Sequence, residues 1–138
     1  MNDTILQGTC LCGQIGFQID QALEDASFCH CSICRKNSGS AFAAYGASAI
    51  ENFKWLQGED LLRQFNVTDV LTKQFCSCCG STLITHHSAE PDLYHVSLGC
   101  LADDAEVKPL YHQFIDSKAN WYSPTDGLPQ FQQWPGED

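Results

Sequence analysis

Seven of the nine cysteines in this 138-residue chain fall into three short motifs, and that pattern limits what the chain can fold into more than any other feature. In the segment Cys29-His30-Cys31-Ser32-Ile33-Cys34, three sulfurs fall within six residues, and Arg35-Lys36, the only adjacent basic pair, follows at once. So tight a cluster implies metal binding, redox chemistry or a disulfide framework. The spacing favours metal. A C-x-C-x-x-C run turns three thiolates toward one centre, whereas cysteines this close seldom form unstrained disulfides with one another. The odd total also argues against a fully paired framework, and in a reducing compartment cysteines serve as metal ligands rather than crosslinks.

Two further motifs supply a second set of ligands. Cys10-Leu11-Cys12-Gly13 is a C-x-C-G half-site, and Cys76-Ser77-Cys78-Cys79-Gly80 contains a C-x-x-C-G half-site. The glycine after each last cysteine suits a knuckle, where positive φ lets backbone amides face the thiolates. Joined, the half-sites give four thiolates, Cys10, Cys12, Cys76 and Cys79, the makeup of a closed structural zinc site. Cys78 is then spare. The trio Cys29, Cys31 and Cys34 keeps three protein ligands and an open position, the arrangement of a catalytic zinc. Cys100 is either a fourth ligand to that trio or a small buried hydrophobe. His86, His87, His95 and His112 have no second ligand at an established spacing, and strand or surface positions are the simpler reading of each.

The remaining sequence reads as mainly β with little helix. Ile15, Phe17 and Ile19 alternate with polar or small residues, the period of a half-buried strand, so residues 5–19 read as a hairpin. Residues 21–26 read as an acidic turn. Residues 32–38 suit a short helix stopped by Asn37-Ser38-Gly39-Ser40. Strands are expected over 41–47, 53–56, 61–65, 70–75, 81–86 and 94–99. The last twenty residues have little regular pattern; Trp121, Tyr122, Phe131 and Trp134 are expected to fasten them to the rest.

Charge narrows the possible partners. Seven basic residues face seventeen acidic ones, for a formal net charge of −10. Seven thiolates around two zinc ions take this to about −13. Such a chain repels nucleic acid, whose binding rests on Lys and Arg, and it attracts an anion only where its few cations gather. No apolar run approaches the length of a membrane span, and Met1-Asn2-Asp3-Thr4 is not the start of a signal peptide, so a cytoplasmic protein is expected.

The motifs Gly8-Thr9-Cys10-Leu11-Cys12-Gly13, Cys29-His30-Cys31 through Cys34-Arg35-Lys36 to Gly39, and Phe75-Cys76 through Cys79-Gly80 share one order with a known family. So do Val96-Ser97-Leu98-Gly99, Ser117-Lys118-Ala119 with Trp121, and Leu128-Pro129 with Phe131. The chain thereby resembles the glutathione-dependent formaldehyde-activating enzymes, a family that includes the centromere protein V group. The resemblance implies a single zinc-binding domain over residues 4–132, tail included, with a short acidic end at 133–138. It implies a β-tent of several curled antiparallel sheets, a structural zinc on Cys10, Cys12, Cys76 and Cys79, and a catalytic zinc on Cys29, Cys31 and Cys34. One departure is Ala102, where the family commonly has Asp; Asp103 follows it. The implied activity is that of a carbon–sulfur lyase joining a thiol such as glutathione to an aldehyde such as formaldehyde. Arg35, Lys36, Lys118 and Trp121 are then the substrate-binding candidates. Two other functions compete: a non-catalytic zinc module that binds another protein, and a thiol carrier or metal buffer.

Overall fold

The computed structural model describes residues 4–136 and is mainly β, with two sheets and one α-helix among them. By internal contacts the chain divides into two compact units, Met1–Glu24 with Gly46–Val107, and Asp25–Tyr45 with Lys108–Asp138. No helix among the described residues is long and apolar enough to cross a membrane.

In the first unit, β1 (Leu6–Thr9) and β2 (Gly16–Ile19) form the expected hairpin, with Leu6 opposite Ile19 and Thr9 opposite Gly16. β5 (Phe53–Gln57) joins it antiparallel to β2 and completes a three-stranded sheet. Alternation puts Ile15, Phe17 and Ile19 fully inside, where the Phe17 ring stacks on Phe53 at 5.2 Å and Trp55 meets Phe53 edge-on at 4.7 Å. The second sheet of this unit runs, in spatial order, through β4 (Ala43–Ala49), β9 (Leu93–Ser97), β8 (Thr82–His87), β7 (Leu71–Cys76) and β6 (Leu62–Asn66). Its core joins Leu83, Ile84 and Val96 to the hairpin residues, and Cys10 and Cys76 are part of that core. The metal-ligand candidates here grow out of the hydrophobic interior.

The second unit begins around β3 (Glu24–Cys29), which takes over the latter half of the expected acidic turn while residues 21–23 stay outside any strand. Asp25 sits at φ 53°, a local kink, and its carboxylate accepts a 2.9 Å hydrogen bond from the Tyr111 hydroxyl. The extended path is held from outside the segment: β10 (Tyr111–Gln113) pairs with β3 in parallel, setting Gln113 opposite Cys29. A parallel partner so far away in sequence leaves no local signal. The helix α1 (Ser32–Ser38) has the expected bounds and ends on Gly39 in the left-handed conformation. The tail adds an irregular edge: His112 N–H donates to Pro129 O at 2.9 Å, Phe131 N–H to His112 O at 2.9 Å, and Ile115 N–H to Phe131 O at 3.0 Å. Phe131 packs on Tyr111 and Trp134 on Phe114, as fasteners should. Trp121 does not; it is 70% exposed.

Candidate metal centres

The first unit brings Cys10, Cys12, Cys76 and Cys79 together, with all four sulfurs within 4.8 Å of one another. Two knuckles build the cluster. Cys10 N–H donates to Ile15 O and Gly13 N–H to Cys10 O, each at 3.1 Å, while Cys76 N–H reaches Ser81 O at 3.0 Å and Gly80 N–H reaches Cys76 O at 2.8 Å. Gly13 and Gly80 hold φ of 79° and 82°, the left-handed geometry that favours glycine. Backbone amides then face sulfur: Ile15 N–H lies 3.4 Å from Cys10 Sγ and Cys78 N–H 3.3 Å from Cys76 Sγ. The Ser81 hydroxyl, 3.2 Å from Cys79 Sγ, brings that thiol down to about 5. These contacts favour thiolate, the form that binds metal. All nine cysteines are free, and the closest sulfur contacts here, 3.6 Å between Cys10 and Cys12 and 3.8 Å between Cys12 and Cys76, are those of a ligand set rather than of crosslinks.

The two cysteines left over lie in this same unit. Cys78 is exposed on its knuckle. Cys100 packs against the core with its thiol 3.5 Å from Thr82 O. Burial pushes that thiol up to about 11, helped by the negative fields of Cys10 and Cys79. Cys100 therefore keeps company with the four-sulfur cluster, and the reading that fits it is the buried hydrophobe.

The second unit brings Cys29, Cys31 and Cys34 within the same 4.8 Å limit, and no fourth His, Cys, Asp or Glu joins them among the described residues. Cys29 ends β3, Cys31 caps α1, and Cys34 is the buried residue of its first turn. The cap is made by sulfur: Cys34 N–H donates to Cys31 Sγ at 3.3 Å. Hydrogen bonds from the Cys29 and Cys34 thiols, together with that amide, drive Cys31 down to about 2. The Cys31 contact, against a smaller opposing pull from Cys34, pushes Cys29 up to about 11, and the Cys29 and Cys31 contacts with burial raise Cys34. Soft thiolates on a short, fixed segment suit zinc, and three of them leave one coordination position for another ligand.

The candidate substrate residues are placed unequally. Arg35 is half-buried, and its Nε–H donates to Ser117 O at 3.0 Å, which seats the guanidinium against the 117–118 segment. Lys118 Nζ donates to Tyr122 O at 3.0 Å and Ala119 O at 3.4 Å. Lys36 is exposed on α1, and Trp121 is exposed in the tail. Arg35 and Lys118 are brought into one neighbourhood, and no side-chain hydrogen bond or ion pair among the described residues fixes Lys36 or Trp121.

One group of residues was not marked by the sequence. His30, between two ligands, and His112, on β10, are both fully buried, with His30 Nε2 2.8 Å from His112 Nδ1. His112 Nε2 lies 2.8 Å from Asp126 Oδ2. Burial, then His112 and Lys118, lower His30 to about 4 against the opposing pull of Asp126. The His112 hydrogen bond holds the Asp126 carboxyl below the usual carboxylate range. His112 lies on a strand, one of the expected positions, but inside rather than at the surface, and it belongs to neither sulfur cluster. Its pairing with His30 spans 82 positions, beyond any local pattern.

Comparison with known proteins bears on the family and the fold. A Halomonas elongata protein, provisionally named a glutathione-dependent formaldehyde-activating enzyme, is 27% identical over 124 residues, covering 85% of this chain and 79% of that one. The crystal structure of a Rhodobacter sphaeroides protein superposes with a TM-score of 0.61 at 22% identity, over 72% of this chain and 90% of its own, and so supports the fold alone. The family model for glutathione-dependent formaldehyde-activating enzymes matches residues 5–117, a span holding all seven clustered cysteines, and the chain belongs to that family.

Proposed function

We propose that the chain is a zinc-dependent carbon–sulfur lyase acting reversibly on the adduct of a thiol, glutathione above all, with an aldehyde such as formaldehyde. The observation that carries this reading is the three-sulfur cluster on one short segment, with no fourth protein ligand among the described residues. Zinc held by Cys29, Cys31 and Cys34 would supply an open coordination position that favours the thiolate form of an incoming thiol. In the synthetic direction the substrate sulfur attacks the carbonyl carbon, a carbon–sulfur bond forms, and the thiol proton ends on the former carbonyl oxygen as a hydroxyl. The reverse breaks the same bond and returns aldehyde and thiol.

The rest of the reaction falls to binding and orientation. Glutathione is an anion and this chain carries a net charge of −10, so a local cation must hold it. Arg35 suits that task because its Nε–H is committed to Ser117 O, which fixes the guanidinium, and a guanidinium binds a carboxylate through two parallel N–H groups. Lys118 and Lys36 add positive charge, and the exposed Trp121 ring offers apolar cover. Cys10, Cys12, Cys76 and Cys79 hold the second, structural zinc.

Calorimetric titration of glutathione into fully zinc-loaded protein, with metal content measured alongside, tests the reading. Two zinc ions per chain and saturable thiol binding are expected. Two zinc ions with no thiol binding would favour the protein-binding module instead.

A further inference from the structure

We infer that Asp126, His112 and His30 form a one-directional hydrogen-bond relay whose task is to position the three-cysteine centre, with His30 held as the tautomer that bears its proton on Nε2. Asp126 and His112 are then positioning residues for a site they do not touch. This inference rests on the trio being a metal centre.

The direction of the relay follows from its far end. Asp126 Oδ1 accepts the Leu128 N–H at 3.0 Å and Oδ2 faces His112 Nε2 at 2.8 Å. An ionised carboxylate only accepts, so His112 Nε2 carries a proton and, in the neutral ring, His112 Nδ1 does not. His112 Nδ1 is therefore an acceptor, and the group facing it at 2.8 Å, His30 Nε2, is the donor. His30 Nδ1 is left as a bare lone pair.

The near end leads independently to the same assignment. His30 Nδ1 is buried and has no hydrogen-bond partner among the described residues. Its surroundings are aromatic, with Phe42 at 5.1 Å and Tyr122 at 6.4 Å between ring centroids. An orphaned buried N–H is the rarer and costlier defect, and an orphaned acceptor is the more tolerable one. Both ends of the relay thus choose the same tautomer.

The position of His30 says what this is for. It is flanked by two ligands, Cys29 and Cys31, and is pinned twice: its backbone N–H donates to Gln113 O at 3.0 Å, and its ring is fixed by the relay. His30 is the single residue between the end of β3 at Cys29 and the cap of α1 at Cys31, so anchoring its backbone and ring fixes the link that carries two of the three sulfurs. Three ligands crowded within 4.8 Å repel one another once ionised, and something outside the set must hold them in place. Locked supporting hydrogen bonds are how such sites keep their geometry.

Asp126→Asn inverts the relay without changing its size. The Leu128 N–H still demands an acceptor, so the amide oxygen stays there and the amide nitrogen turns to His112. His112 must then accept at Nε2 and donate from Nδ1, and His30 is forced to carry its proton on Nδ1, where nothing receives it. Long-range nitrogen–proton NMR of the histidine rings reads this directly. Wild-type zinc-loaded protein is expected to show His30 protonated at Nε2 and bare at Nδ1, and Asp126→Asn the reverse. Cobalt(II) and zinc titrations should show the trio weakened by about 10- to 100-fold in the variant, with the four-cysteine centre unchanged as an internal control. A proton on His30 Nδ1 in the wild type overturns the relay, and it does so even if the variant fails to fold. Unchanged trio affinity in Asp126→Asn overturns the positioning role. A wild-type trio that takes up no cobalt overturns the metal-centre reading beneath both. That failure is recognisable because the wild-type tautomer pattern survives it.

Discussion

The two cysteine clusters use the same atoms in opposite ways. In the first unit, two glycine knuckles from remote parts of the chain meet, and half of the four ligands, Cys10 and Cys76, are buried core residues at 2% and 0% exposure. A metal there would tie a loop closed and become part of the fold. In the second unit three ligands come from one segment, so a metal there crosslinks almost nothing. Ligand count and the chain length between ligands, rather than ligand chemistry, separate a rivet from a working site.

If that contrast is right, graded chelation should empty the trio first and leave the fold intact, the second ion leaving only as the chain unfolds. Metal analysis and circular dichroism on the same samples would follow both events; a single simultaneous loss would erase the distinction. The largest effect of any substitution is expected from Cys76→Ser. Structural zinc contributes an apparent 10–16 kcal/mol in small zinc domains, roughly, and spoiling the site should abolish cooperative unfolding. Cys34→Ser should be far milder for the fold, taking metal content from two ions to one while thermal unfolding stays cooperative. Arg35→Ala should leave both ions in place and weaken glutathione binding by about 1–3 kcal/mol, the worth of a charge-assisted hydrogen bond. Added salt should weaken the wild type more than this variant, which separates lost charge from lost packing at Ser117. The smallest effects belong to the spare thiols. Cys78→Ser, on an exposed site, should change stability by no more than about 0.5 kcal/mol. Cys100→Ala should retain both ions at a cost limited to packing, and loss of either ion in it would return Cys100 to the ligand set.

The two cysteine clusters were legible because their spacing is written locally, with a glycine of positive φ closing each knuckle of the four-sulfur set. The strands from β4 to β9 were legible because alternation and turn residues act within a few positions. β3 was misread over residues 24–26 because its acidic start carries the composition of a turn, and its extended path is imposed by β10, a distant parallel partner. His112 was weighed as a ligand against a strand or surface residue; it is a strand residue, and its burial was not legible because nothing beside it in sequence announces a buried ring. Asp126 is 14 positions from it and His30 is 82, so their meeting is a property of topology alone. Trp121 was expected inside on its apolar character; the backbone of the tail instead leaves it outside, while Tyr122, next to it, takes the inner place beside His30.

The tail bonds to residues 129–133 have a consequence for where this protein can be cut. The match to the family model ends at residue 117. The backbone does not stop there: His112 exchanges hydrogen bonds with Pro129 and Phe131, and Phe114 N–H reaches Gln133 O at 3.1 Å. A fragment trimmed to the boundary of recognisable sequence would keep all seven clustered cysteines. It would lose the outer row of the sheet edge that His112 depends on, and with it Asp126. The span matched by the family model and the span joined by hydrogen bonds are different lengths of the same chain.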